Sequence, residues 1–189
     1  LRDLGKLKEA KFYQEKAIEL KPNYSIAYSN LGGILRDLGN LKEAELASRK
    51  AIKLNSNNAE GYSNLGSILR DLGKLKEAKF YQKKAIELKP DYPQAYLNLG
   101  GILRDLGNLK EAELATRKAI KLKPKFANAH RDLSICLYLL EDLNSALKSI
   151  SKANSLNSKD IINKLLFSIF QSEKIKKREE IHNKSNFKK

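Results

Sequence analysis

The chain has 189 residues, 41% of them hydrophobic and 31% charged, with 10 glycines and 4 prolines. That is too apolar for a disordered segment and too poor in glycine and proline for a loop-rich sheet protein, so a helical protein is expected. The single cysteine, Cys136, excludes an internal disulfide framework and leaves too few thiols for a cysteine-based zinc site; the formal net charge of +15 needs a location before it acquires a meaning.

The opening residues, Leu1-Arg2-Asp3-Leu4-Gly5, return at Leu35, Leu69 and Leu103, a period of 34 residues. With no methionine present, the chain is read as beginning partway through a repeat, and any signal segment would lie upstream. A longer period is stronger still: residues 1–24 and 69–92 differ only at Glu15/Lys83 and Asn23/Asp91, so a pair of repeats has been duplicated. Periods of this size mark solenoids. In chain order, 1–24 is the second part of a repeat, and 25–58, 59–92 and 93–126 are complete repeats. Each complete repeat carries two stretches with helical apolar spacing, such as Ala27–Leu38 and Leu41–Leu54, divided by Gly39-Asn40 or its equivalent. Pro22, Pro90 and Pro124 close repeats. Each unit therefore predicts a helical hairpin.

A fourth, degenerate repeat spans 127–158, with Glu141 in place of the turn glycine. Asp160 can cap a following helix over 159–175, whose Ile161, Ile162, Leu165, Leu166, Ile169 and Phe170 share one broad face suited to covering the last repeat. Residues 176–189 are polar and basic and are expected to be disordered. The apolar run from Ile161 to Phe170 is broken by Asn163, Lys164 and Ser168 and is too short to span a bilayer.

Numbering each repeat from Ser25, Ala59, Pro93 and Ala127, an aromatic falls at position 4 (Tyr28, Tyr62, Tyr96) and Leu-Gly at positions 7 and 8 (Leu31-Gly32, Leu65-Gly66, Leu99-Gly100). Alanine falls at position 20 (Ala44, Ala78, Ala112) and position 27 (Ala51, Ala85, Ala119). These residues resemble the tetratricopeptide repeat (TPR) family over roughly residues 1–158. The resemblance implies an all-α, right-handed superhelical solenoid of antiparallel helix pairs that binds proteins or peptides. Small residues at a crossing let two helix backbones approach closely, and apolar faces that no hairpin can bury alone are buried between neighbours. Position 24, often bulky in the family, is Ser48, Gln82 and Thr116 here. Leu46, Phe80 and Leu114, two residues earlier, are expected to supply the missing volume.

With positions 4, 7, 8 and 11 of the first helix turned to the core, positions 2, 6, 9 and 13 face away and stack into a groove. Position 6 reads Asn30, Asn64, Asn98 and then Asp132; position 9 reads Gly33, Ser67 and Gly101, a low floor; position 13 reads Asp3, Asp37, Asp71 and Asp105. A regular row of carboxamides can bond successive peptide groups of an extended chain without reading its side chains. The row is also similar to the asparagine ladder in the TPR arm of protein O-linked N-acetylglucosamine transferases, which implies a polypeptide-holding role for Asn30, Asn64 and Asn98. The competing reading is that duplication copies every residue, useful or not. Arg2, Arg36, Arg70 and Arg104 lie on the groove's shoulder and either bind acidic groups of a ligand or bridge to neighbouring carboxylates.

The positive charge concentrates on the second helices, at Lys42/Arg49/Lys53, Lys76/Lys83 and Lys110/Arg117/Lys121, interrupted by Glu45, Glu87 and Glu113. A solvated basic face is the reading adopted, and nucleic acid is disfavoured because no nucleic-acid motif is present. His130 and His182 are far apart and belong to no metal-ligand or nucleophile pattern, and His130 and Cys136 are read as packing residues. The glycine pairs lie within helices rather than after strands, so no phosphate-binding loop is formed. No catalytic residue, metal or cofactor is assigned. The expected function is a protein-interaction scaffold that takes a peptide or partner protein in its groove. The alternatives are a substrate-recruiting region of a larger enzyme, such as a glycosyltransferase, and a binder of nucleic acid or acidic surfaces through the convex lysines.

Overall fold

The computed structural model describes residues 4–186, with side chains described through Lys177 and at Glu179. The expectations for Arg2 and Asp3, and for the last three residues of the tail, lie outside the described residues. The described residues form helices and no strand: α1 (Leu4–Leu20), α2 (Ser25–Asp37), α3 (Leu41–Leu54), α4 (Ala59–Asp71), α5 (Leu75–Leu88), α6 (Pro93–Asp105), α7 (Leu109–Leu122), α8 (Ala127–Leu139), α9 (Leu143–Leu156) and α10 (Ile161–Asn186).

Each hairpin turns at a residue in the left-handed region: Gly39, Gly73 and Gly107 at φ 82°, 75° and 78°, and Glu141 at 64°. The amide one residue further on donates back to the carbonyl five residues earlier, as in Asn40 N to Leu35 O at 2.9 Å and Asp142 N to Leu137 O at 2.9 Å. That bond closes the first helix and reverses the chain. Between hairpins, where Asn55-Ser56-Asn57-Asn58 stands in place of a proline turn, the Asn58 side chain caps α4 by accepting from Gly61 N at 3.0 Å.

Within a hairpin, the crossing is made by backbone approach. A methyl on Gly66 would lie 3.3 Å from the Ala78 carbonyl oxygen, and one on Gly100 would lie 3.2 Å from that of Ala112. The residues facing these glycines are Ser48, Gln82 and Thr116, all fully buried. Leu46, Phe80 and Leu114 do not fill the crossing as expected; they are 70%, 56% and 68% exposed on the outer side of the second helices. So little space separates backbones this close that small or polar residues fill it.

Between hairpins, Leu31, Leu35 and Ala44 pack on Ile68; Leu65, Leu69 and Ala78 pack on Ile102; and Leu99, Leu103 and Ala112 pack on Cys136. Cys136 thus occupies the isoleucine slot of the degenerate repeat. Successive first helices α2, α4, α6 and α8 touch one another, whereas successive second helices make no comparable contact. The stack therefore curves, with the first helices lining its inner side.

The terminal helix departs from expectation in two ways. It runs to Asn186, past the expected boundary at 175. It also docks by a narrower stripe: Asn163 and Phe170 are buried and Leu166 and Phe167 half-buried, with the Phe170 ring stacked on Tyr138 at 4.6 Å. Ile161, Ile162, Leu165 and Ile169 remain exposed, because a helix lying on one flat neighbour covers only one side of a broad apolar face. Asp160 caps it, accepting from Ile162 N at 2.9 Å, and also accepts from Arg131 at 3.0 Å.

Candidate functional site

The asparagine row lies on the inner helices and is tied to them. Asn64 donates to Ser29 Oγ of the preceding first helix at 3.3 Å, and Asn98 donates to Ser63 Oγ at 3.2 Å and Ser67 Oγ at 3.0 Å. Asn98 also accepts from Gln94 at 2.8 Å, so its carboxamide is engaged through both its nitrogen and its oxygen. Asn30 is exposed, makes a long 3.5 Å contact with Gln14, and lines a cavity of about 440 Å³ with Ile26, Ser29, Asn58 and Glu60. Sequence reasoning missed the serines at position 5. Their signal was weak, since Ser29 and Ser63 are followed by Leu97 in the next repeat.

The shoulder arginines bridge repeats. Arg36 Nε donates to Asp71 at 2.5 Å and Arg70 Nε to Asp105 at 2.6 Å, each pairing with the aspartate of the next first helix. Burial alone would lower the Arg70 pKa, but the Asp105 hydrogen bond and nearby carboxylates raise it overall. The relay stops at the degenerate repeat, where Leu139 stands in the aspartate position. Arg104 lies 3.9 Å from its own neighbour Asp105 and turns toward Asp132 and Cys136. Asp132 is pushed above the ordinary carboxylate range by burial, which the charges of Arg104, Arg131 and Arg70 only partly counter. Burial likewise raises the Cys136 thiol. Asp37 also has a partner of its own.

The expected low floor is filled from within at Ser67 and Gly101, while no described atom lies within 4 Å of a methyl on Gly33. A methyl on Gly101 would lie 2.6 Å from Arg70 Nη1, so this glycine makes room for the arginine as it reaches Asp105. Ser67, at the same position one repeat earlier, is buried and donates to Ser63 O at 3.1 Å.

Of the outer cations, Lys42, Lys53, Lys76, Lys83, Lys110, Arg117 and Lys121 are exposed. Arg49 is not a free charge: it donates to Glu45 at 2.7 Å, to Glu77 at 2.9 Å and to the Tyr81 hydroxyl at 2.9 Å, and Tyr81 stacks on Tyr62 at 6.1 Å. Lys74 joins by donating to Glu45 at 2.8 Å. Burial would raise the Glu45 carboxyl, but the bonds from Lys74 and Arg49 together hold it below its ordinary value. Among the described residues, no group of three or more His, Cys, Asp or Glu side chains is placed to hold a metal ion, and no helix is long and apolar enough to cross a membrane.

The family model for the tetratricopeptide repeat matches residues 1–24, 26–58, 59–92 and 93–126. The chain belongs to the tetratricopeptide repeat family. The TPR hairpins and their curved stack are similar to solved structures. MamA is 26% identical, with 82% of this chain and 91% of that one covered at a TM-score of 0.69. YrrB, described as a TPR protein with an unusual peptide-binding site, is 25% identical, with 85% and 82% covered at 0.65. TTC0263 from Thermus thermophilus, at 21% identity, shares the fold with 89% and 92% covered at 0.78. No curated protein matches the chain. The fold is thus a TPR-type right-handed superhelical solenoid and a scaffold of the kind whose members bind proteins or peptides.

Proposed function

We propose that this TPR chain binds an extended peptide, or an extended segment of a partner protein, along the inner face formed by α2, α4, α6 and α8. The observation that carries the reading is the placement of Asn30, Asn64 and Asn98 in register on helices that touch one another, with the Arg36–Asp71 and Arg70–Asp105 bridges fixing that register. Asn64 and Asn98, tied to the preceding first helix before binding, lose little side-chain entropy when they accept a ligand. The peptide-binding site ascribed to YrrB supports the choice of ligand class.

Asn30 and Asn64 are the principal contacts, since one of the two acceptor sites on the Asn98 oxygen is already taken by Gln94. At Asp132 the row changes from amide to acid, and that carboxyl already faces Arg104, Arg131 and Arg70. Each contact contributes about 1 kcal/mol net, so several repeats must engage together for affinity near the micromolar range, about -8 kcal/mol.

The test is capture from an array of short unstructured peptides by the wild type, by N30A and by N30A/N64A/N98A. The triple variant is expected to keep its helical circular dichroism and lose capture, and N30A, which removes a residue whose side chain makes the long 3.5 Å contact to Gln14 among the described residues, is expected to weaken it. Undiminished capture by the folded triple variant overturns the reading and leaves the row as a product of duplication.

A further inference from the structure

A cleft of about 420 Å³ opens where the third complete repeat meets the degenerate one, lined by Arg117, Ile120, Lys121, His130, Leu133, Lys148, Ser149 and Lys152 from α7, α8 and α9. It uses none of the asparagine or arginine rows, and its cause is visible by comparing the same junction along the stack. Between the first two complete repeats, Tyr81 stacks on Tyr62 and accepts from Arg49, so the space is plugged. At the next junction Ala115 replaces Tyr81, while Tyr96 remains, with Lys118 over its ring at 5.9 Å. At the third junction both aromatics are gone. Ser149 stands in the Tyr81 position and donates to Ser145 O at 2.9 Å, and His130 stands in the tyrosine position and donates through Nε2 to Pro124 O at 2.9 Å.

The same substitutions change the charge. Lys148 replaces Leu114 and Lys121 replaces Glu87, while Arg117 and Lys152 keep the cations of Lys83 and Lys118. The acids facing the cleft are Glu113, which accepts from Arg117 at 2.8 Å, and Asp142, whose pKa is lowered chiefly by its hydrogen bonds with Ser145 and also by Arg117 and Lys148. Lys121, Lys148 and Lys152 form no ion pair among the described residues. The result is an apolar floor of Ile120 and Leu133 beneath a cationic rim.

We infer that this cleft binds an acidic peptide by seating a bulky apolar side chain on Ile120 and Leu133 between carboxylates held by Lys121, Lys148 and Lys152. An aromatic or leucine side chain replaces the missing tyrosine plug, and flanking acids neutralise lysines that form no ion pair among the described residues. Neither chemistry alone fits: a simple anion leaves the floor wet, and a neutral apolar group leaves the rim uncompensated.

The probe is a dye-labelled peptide with one phenylalanine flanked by glutamates, followed by fluorescence anisotropy on the full chain. Saturable binding is expected, weakened about tenfold or more when alanine replaces the phenylalanine, given the area of an aromatic side chain. H130Y/S149Y copies the plugged junction, fills the cleft without removing a charge, and is expected to fold and to lose binding. K148E/K152E is expected to lose it through the rim. N30A/N64A/N98A, which removes capture by the inner face, is expected to keep saturable binding of the probe, and adding H130Y/S149Y to it is expected to abolish that binding, which separates this site from the inner face. Three results overturn the inference: no saturable binding to wild type, equal binding to H130Y/S149Y, or equal binding of the alanine peptide, which would reduce the contact to diffuse charge attraction.

Discussion

Gly100, at a backbone crossing, and Gly33, with no described atom near it, should respond oppositely to alanine. A methyl on Gly100 would collide with Thr116 Oγ1 and sit 3.2 Å from the Ala112 carbonyl oxygen. Thr116 is fully buried and its hydroxyl donates to that same carbonyl at 2.8 Å, so neither atom can step aside without moving α7. Overpacking of this kind costs about 1–3 kcal/mol, partly offset by the ~0.5–1 kcal/mol that alanine gains over glycine within a helix. G100A is therefore expected to destabilise by about 1–2 kcal/mol. In G33A, where no described atom lies within 4 Å of the new methyl, only the helix gain remains, about 0.5–1 kcal/mol of stabilisation. Urea titrations followed by circular dichroism read both, and the midpoints should move in opposite directions from wild type. If both variants are stabilised alike, the backbones are not in contact at the crossing and the packing argument fails.

Further outcomes follow from single sites. Glu141 holds a left-handed conformation at φ 64° that its glycine counterparts adopt freely, so E141G should stabilise by about 1 kcal/mol and G73A should destabilise by a similar amount, both read as urea midpoints. Because the folded Glu45 carboxyl sits below its unfolded value of 4.5, its contribution is present above that pH and is lost as pH falls through the lowered folded value. E45Q should therefore show a flatter loss of thermal stability on acidification than wild type, and an unchanged slope would remove Glu45 from the outer network.

The repeat, the hairpins and the turn glycines were legible because each depends on local spacing: Gly39, Gly73 and Gly107 stop a helix wherever they occur. Which side of a helix meets its neighbour was harder to read. Ser48, Gln82 and Thr116 look unsuited to a core, yet they are buried because Gly32, Gly66 and Gly100 bring the backbones together, and this leaves Leu46, Phe80 and Leu114 outside. The Arg36–Asp71 and Arg70–Asp105 bridges were one of two readings of the arginine row, because a sequence period aligns like residues but does not say which carboxylate each arginine meets. The carboxamide rows follow from the period, but their bonds to Ser29, Ser63 and Ser67 depend on interhelix distances that no period encodes. The cleft beside His130 was hidden for a related reason: degeneracy reads as loss of signal, whereas in three dimensions two absent rings leave a space.

A guest chain lying against the inner asparagines must change the surroundings of their carboxamides. The side-chain amide resonances of isotopically labelled protein, recorded as a captured peptide is added, report on this without intermediate steps. The Asn30 and Asn64 carboxamide signals should shift in saturable fashion while those of Asn144 and Asn157, at the far end of the stack, stay in place. Saturable binding that moves resonances of α3, α5 and α7 but leaves Asn30 and Asn64 unshifted would place the guest on the outer helices and refute binding along the inner face.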